Sequence, residues 1–380
     1  MASLGHAVEA MPKSIDLPIS TLTTRLCGQL KLGKRLGGGA RSSVYSASRA
    51  DQQLALKCIP LEAQEPDQQW SLAKIALQEV YALLCCDQLA KQGFPHFPRL
   101  HGIHLLDRQL ESWRLQSELS WCIVMEKCEG NLKSWRAADC TAHSPVLIAT
   151  QLFATFYALA RCYHLCNNDA YARNILWTRV APGTHLLYQL GHVQLLVPTE
   201  GYLWKLTDFG LATHRSKLDG SLTYSDGPIQ HPSAVHVALL QQFPRYARDI
   251  AAFLADLAQM FPNSVWLTAV NHCLNQGLRT TRFSTASGLL GWIEYVTSEL
   301  FLASTGVRAD LLRANLLTCK QLAADGQLVV CDLNRCDTRA MRLVAQAQFH
   351  KLKEAALGRI YEQDPLAAPS SSTSDESPEA

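Results

Sequence analysis

Between Gly28 and Ile59 short β-like runs alternate with a glycine cluster: QLKLGKRL, then GGGARS, SVYSASRA, the turn-prone DQQ, and LALKCI. This pattern predicts a hairpin with a glycine-rich bend followed by a third strand. Over Trp70–Leu89 the apolar residues Leu72, Ile75, Ala76, Val80, Leu83 and Leu84 recur at spacings of three and four, which predicts a helix. Two more strand-like runs follow the turn-rich GFPHFPRLHG and end in WCIVMEKCEG. Beyond Gly130 helical periodicity dominates, as in Val146–His164 and Tyr246–Met260, broken by a β-like stretch around Leu186–Leu206. NSVWLTAVNHCLNQ, SGLLGWIEYVTSEL and Ala340–Tyr361 read as helices, while Val307–Leu333 follows neither period clearly. No internal repeat is detected. The expected fold is α+β in two lobes: a small antiparallel β-sheet lobe with one helix, then a larger helical lobe.

With 380 residues, 48% of them hydrophobic, the chain can bury a sizeable core. The organisation expected is an extension over 1–28, a small lobe over 29–127 and a large lobe over 128–363. A β-hairpin is inserted in the large lobe around 183–206, and a Ser-rich acidic tail covers 364–380, with almost nothing to bury. Lys and Arg number 35 against 33 Asp and Glu, so no global field favours a nucleic-acid backbone and none is expected as partner. The thirteen cysteines are odd in number and form no paired CxxC set of the kind structural zinc needs, so they read as small buried hydrophobes in a reducing interior. An intracellular chain, cytoplasmic or nuclear, is the expectation. The long apolar stretch Leu147–Tyr163 carries Gln151 and Arg161, which argues against a bilayer span.

Three clusters carry candidate chemistry. Gly37, Gly38 and Gly39 with Ser42 and Val44 fit G-x-G-x-x-[G/S]-x-V between two strands. There glycine allows backbone amides close to phosphate oxygens, although a plain tight turn has the same composition. Lys57 ends the apolar strand Leu54–Lys57; a buried lysine needs an opening or an anion, and an outward-facing lysine on an alternating strand is the plainer alternative. Glu79 on the following helix could pair with it, as could Glu62 and Glu65 in the linker before that helix. The third cluster is Asn168-Asp169-Ala170-Tyr171-Ala172-Arg173-Asn174 before an apolar strand, with Lys205-Leu206-Thr207-Asp208-Phe209-Gly210 ending a second one. One carboxylate at that spacing can accept a hydroxyl proton while an amide and a second carboxylate offer oxygen ligands to magnesium. Asx-turns at strand ends would explain any one of these residues, but not all of them in this order.

In this order the motifs resemble a eukaryotic-type protein kinase over roughly Leu32 to Met260. The resemblance implies that Gly37, Gly39 and Ser42 cover the ATP phosphates, with Val44 and Ala55 against the adenine. It implies that Lys57 holds the α and β phosphates and pairs with Glu79. Met125 matches the gatekeeper, with the backbone from Glu126 to Cys128 as hinge. Asp169 matches the catalytic base, and Asn174 and Asp208 the magnesium ligands. Asp249 resembles the helix aspartate that ties down the catalytic loop. ATP, magnesium and a protein substrate are the cofactors and partner implied.

Several positions depart from the family pattern. Asn167-Asn168 stands where His-Arg usually precedes the catalytic Asp, so no arginine is present to pair with a phosphorylated activation loop. That implies activity independent of such phosphorylation. No Ala-Pro-Glu follows; GPIQHPSAVHVALL stands there. The long interval from Asn174 to Asp208, with Tyr188-Gln189-Leu190-Gly191 and Val197-Pro198-Thr199-Glu200-Gly201-Tyr202, resembles the haspin branch and the haspin-like serine/threonine kinases of large DNA viruses. A serine/threonine kinase is therefore implied, although Ala172-Arg173-Asn174 resembles the tyrosine-kinase loop. Tyr171 stands where serine/threonine kinases usually carry a lysine two residues after the catalytic Asp, and Arg173 takes the γ-phosphate in place of that lysine in this reading. A pseudokinase that docks partners, and a small-molecule kinase of the choline or aminoglycoside type, are the competing readings.

Overall fold

The computed structural model describes residues 30–38, 42–61, 66–107, 119–135, 144–214, 246–277, 285–298, 300 and 316–363. Among these residues the chain is a mixed α+β arrangement with seven helices and largely antiparallel sheets. Two compact units form: residues up to Pro60 with Leu100–Glu126, and Leu61–Arg99 with Lys127 onward. Sequence patterning assigned the helix after the third strand to the small lobe, whereas its contacts group it with the second unit, for a reason given below. The tail after 363, and with it the serines and threonine expected to be solvated there, lies outside the described residues, as does the extension before Leu30.

The first unit is one antiparallel sheet: β1 (Lys31–Gly38), β2 (Ser43–Arg49), β3 (Gln52–Pro60), β4 (Leu100–Asp107) and β5 (Leu119–Glu126), in the order β1-β2-β3-β5-β4. Residues opposite each other across a ladder share a face. Tyr45, Leu56 and Val124 form one such row, Ala47 and Leu54 another, and Cys58 with Cys122 a third. With Leu30 and Leu32 these side chains make the core of this unit, and the Cys58 and Cys122 thiols lie 3.6 Å apart within it. The residues in between necessarily face the other way.

The second unit is built around α2 (Ser144–Tyr163), reached after α1 (Pro66–Lys91) and β6 (Gly130–Asn131). Pro145 starts α2, where its missing N–H costs nothing, and apolar residues surround the helix on every side, as in a core helix. Thr150 and Thr155 satisfy their buried hydroxyls on the carbonyls one turn back. Gln151, fully buried, spends its amide on the backbone of β11 (Tyr202–Leu206): Nε2 donates to the Tyr202 carbonyl and Oε1 accepts from Trp204 N–H. Among the described residues α2 is the one helix long and apolar enough to cross a membrane by composition, and it is 94% buried in protein.

Short strands follow α2: β7 (Leu165–Cys166), β8 (Ile175–Arg179), β9 (His185–Leu190), β10 (Val193–Pro198), then β11 and β12 (Thr213–His214). The expected hairpin is β9–β10, turning at Gly191 and His192. The helices α3 (Ala247–Met260), α4 (Val265–Gly277), α5 (Ala286–Thr297) and α6 (Leu316–Ala324) come next. Thr285 caps α5 by accepting from Gly288 N–H. Val307–Leu333, illegible by period, contains in its described part α6 and a strand, β13 (Leu328–Asp332), which joins β9 in parallel. The final helix α7 (Thr338–Gln363) lies along α1, with Phe349 edge-on to Tyr81 at 5.3 Å. Its Arg342 donates to the Cys162 and Arg161 carbonyls at the end of α2. These contacts are why α1 groups with the second unit.

Candidate active site

The loop between β7 and β8 is held by its own side chains. Asp169 is buried, at 7% exposure, and its carboxylate is bracketed: Arg173 Nη2 donates to Oδ1 at 2.7 Å, and Asn174 Nδ2 donates to Oδ2 at 2.7 Å. Asn174 Nδ2 also donates to the Asp169 carbonyl at 2.9 Å. A single 3-10 turn, Ala172–Asn174, makes this possible by bringing residues four and five positions on back over the carboxylate. Arg173 lies over the Tyr171 ring, 4.9 Å from its centroid. Burial, then the neighbouring Asp169 charge, raises the Tyr171 phenol above its usual range.

Two carboxylates from α3 grip this loop from below. Asp249 accepts from the backbone N–H groups of Asn167 (2.8 Å) and Asn168 (2.7 Å), and Asp256 accepts from Ala172 N–H at 2.7 Å. Positions 249 and 256 are two helical turns apart and so share a face. Burial pushes the Asp249 carboxyl up to about 7, against the pull of the two amides.

The second candidate carboxylate, Asp208, follows β11, whose partner β8 begins at Ile175. Thr207 N–H donates to the Asn174 carbonyl at 3.0 Å, so the two expected metal ligands sit on adjacent, bonded stretches of chain. Asp208 itself has φ 58, a left-handed conformation that costs energy in a non-glycine residue and is typical of functional turns. Phe209 is fully buried beside Phe97. Glu79 belongs to the same unit: a Cβ on Gly210 would lie 3.6 Å from both Asp208 Oδ1 and Glu79 Oε2. The positions of Glu62 and Glu65 lie outside the described residues.

In the first unit, the face opposite the apolar core carries the residues expected to receive a nucleotide. Val44 stands opposite Lys57, and Ala55 opposite Met125, while Gly37 stands opposite Val44. Lys57 is buried, at 6% exposure. Glu126 falls on the alternate register, opposite Leu54, and Cys128 follows half-buried in the second unit. Gly37 has open space where a side chain would start, and Ser42 immediately precedes β2. The glycine with a steric reason is Gly38, at φ 156, where a Cβ would come within 2.6 Å of the Ser42 carbonyl. Gly39 lies outside the described residues.

Sequence reasoning missed Asp256, although its spacing from Asp249 is a usable signal, and it read Asn167 and Asn168 only as missing His-Arg. Both are structural participants: Asn167 Nδ2 donates to the Asp208 carbonyl at 2.9 Å while its Oδ1 accepts from Asp169 N–H at 3.0 Å. It also missed His96, fully buried in the turn before β4. The Trp204 carbonyl can only accept, so His96 Nδ1 carries the proton to it and Nε2 accepts from Tyr188 O–H at 2.7 Å. Tyr188, from the hairpin motif, is thereby tied to the turn. No protein-family model matches the chain, and no curated protein matches its sequence.

Proposed function

We propose that the chain is an ATP- and magnesium-dependent protein kinase of bilobal fold that transfers the γ-phosphoryl group to protein serine or threonine. The observation that carries this reading is the bracketed Asp169 carboxylate, buried and bonded by Arg173 and Asn174 one hydrogen bond from the Asp208 segment. Phosphoryl transfer needs alignment and charge neutralisation more than covalent chemistry. An ionised, oriented carboxylate that accepts a hydroxyl proton suits the first need.

The residues fit a magnesium ion. Asn174 gives its NH2 to Asp169, which leaves Oδ1 to offer, and the half-buried Asp208 supplies a carboxylate; both are hard oxygen donors. Among the described residues no group of three or more His, Cys, Asp or Glu could hold a metal alone. Two protein oxygens plus nucleotide phosphates is the usual provision for magnesium. When bound, the ion neutralises charge building on the phosphates. In the same reading Lys57, with Gly37, Gly39 and Ser42, takes the phosphates, and Val44, Ala55 and Met125 take the base, consistent with the single sheet face that Val44, Ala55, Lys57 and Met125 share. Arg173 keeps the Asp169 carboxylate directed until substrate arrives.

The test is transfer of labelled phosphate from ATP and magnesium to the chain itself, histone, casein and poly-Glu-Tyr. Wild type is compared with Asp169→Asn and Asp208→Asn. Label on serine or threonine, lost in both variants, is the expected result. Silence in wild type, with ATP still raising the melting temperature, overturns catalysis and leaves a nucleotide-binding module.

A further inference from the structure

Asn168 is placed unlike an ordinary turn asparagine. Its backbone is left-handed, at φ 61, and its N–H is held by Asp249 Oδ1 at 2.7 Å. From that fixed base its side-chain Nδ2 donates twice, to the Leu211 carbonyl at 2.9 Å and to Thr213 Oγ1 at 3.0 Å. Asn167 acts in parallel on the preceding residues, reaching the Asp208 carbonyl. The backbone ladder between Cys166 and Thr213 closes the same junction from the other side. The segment from Asp208 to Thr213 is thus fastened to the Asp169 loop at three successive points, all by neutral donors and acceptors.

We propose that Asn168 is a positioning residue that replaces a charge-dependent lock by an amide clamp, keeping the segment after Asp208 aligned with Asp169 without any phosphate. This inference rests on the kinase reading above and specifies how that activity is regulated. An arginine at this position presents a cation that needs an anion to settle it. The NH2 of a carboxamide needs only the carbonyl and hydroxyl already facing it, while the Asn168 Oδ1 stays buried without a hydrogen bond. The left-handed backbone favours the choice, because asparagine tolerates that conformation better than other side chains of its size. The amide is shielded from water, with Asn168 at 7% exposure, so its bonds are not traded for solvent.

The experiment uses the full chain and three variants. Asn168→Gly keeps the backbone conformation and removes the amide. Asn168→Asp keeps the shape and replaces the donor by a carboxylate facing the Leu211 carbonyl. Thr213→Val removes one of the two acceptors. The expected result is a kcat lower by roughly 10- to 100-fold in Asn168→Gly and Asn168→Asp, with KM for ATP within about twofold of wild type, since no nucleotide contact changes. A smaller loss is expected in Thr213→Val. Amide hydrogen exchange at Ala212 and Thr213 should quicken in the same order, a readout that needs no turnover. Wild type treated with phosphatase should keep its rate.

Unchanged kcat in both Asn168 variants, or a wild-type rate abolished by phosphatase, overturns the inference while leaving the kinase reading intact. Equal losses in kcat and in thermal stability with KM for ATP also raised would make Asn168 a plain structural residue and overturn it as well. Absence of transfer by wild type overturns the kinase reading and the positioning role together, and unchanged exchange would show separately that no clamp exists.

Discussion

Asn174 donates twice to Asp169, once to its carboxylate and once to its carbonyl, so one side chain fixes both the orientation of that carboxylate and the direction of its own free oxygen. Replacing that amide by a carboxylate sets two like charges in direct contact. Asn174→Asp should raise the protonation midpoint of the Asp169 pair. In the proposed kinase mechanism Asp169 must be ionised to accept the hydroxyl proton, so the acid limb of the pH–rate profile should move to higher pH. A profile of kcat against pH unchanged from wild type would show that Asn174 does not govern Asp169.

Arg173 is the other partner of Asp169, and its side chain is 54% exposed. Its ion pair is therefore worth less than about 1 kcal/mol to the fold. Arg173→Ala should leave the urea midpoint nearly unchanged while lowering the transfer rate about tenfold or more. An unaltered rate would remove Arg173 from the catalytic assignment.

Gln151 offers a sharper stability test. Gln151→Leu keeps the volume roughly constant but strands the Trp204 N–H and the Tyr202 carbonyl that the amide now serves. The expected loss is about 2–4 kcal/mol, from two polar groups deprived of a buried partner. Urea denaturation measures it directly, and a neutral outcome would mean that water replaces the amide.

Burial lowers His96 and His104 to about 4 from 6.5, the positive Arg49 adding to the effect at His104. The unfolded chain then binds more protons than the folded one between those values, so their contribution is complete above about pH 6.5 and lost as pH falls to 4. Asp249 has the opposite sign: raised from 3.8 to about 7, it favours the fold at acid pH and loses that contribution as pH rises through the window. Two histidines outweigh one aspartate. The net expectation from these three groups is a loss of stability on acidification from 6.5 to 4. Asp249→Asn removes the opposing group and should steepen the decline, measured as urea midpoints across pH.

Local patterns made most of the elements legible. Trp70–Leu89 lies inside α1, and Tyr246–Met260 matches α3 to within a residue, because amphipathic spacing is a property of a short window. The face shared by Val44, Ala55, Lys57 and Met125 was implicit in strand alternation once the register was known. β13 was not legible. Its partner β9 lies far back in the chain, and a parallel pairing leaves no hairpin signal between them. Among the site residues, Asp169 and Asn174 before one apolar strand and Asp208 at the end of another stood out because acids and amides at strand ends need a reason. Asn168 did not: it registers in a sequence as the lack of an arginine, and only the positions of Leu211 and Thr213 give its amide a task.

The packing of α7 on α1 has a consequence for biosynthesis. Tyr81 leaves the ribosome long before Phe349 is made, so the helix carrying Glu79 must wait for its neighbour. At roughly 5–20 residues per second this wait is on the order of tens of seconds. During it the face of α1 that carries Tyr81 lacks the cover that α7 gives it. A chain stopped before Thr338 is therefore expected to leave α1 without this contact, and its yield of soluble protein, compared with that of the full chain, measures the effect.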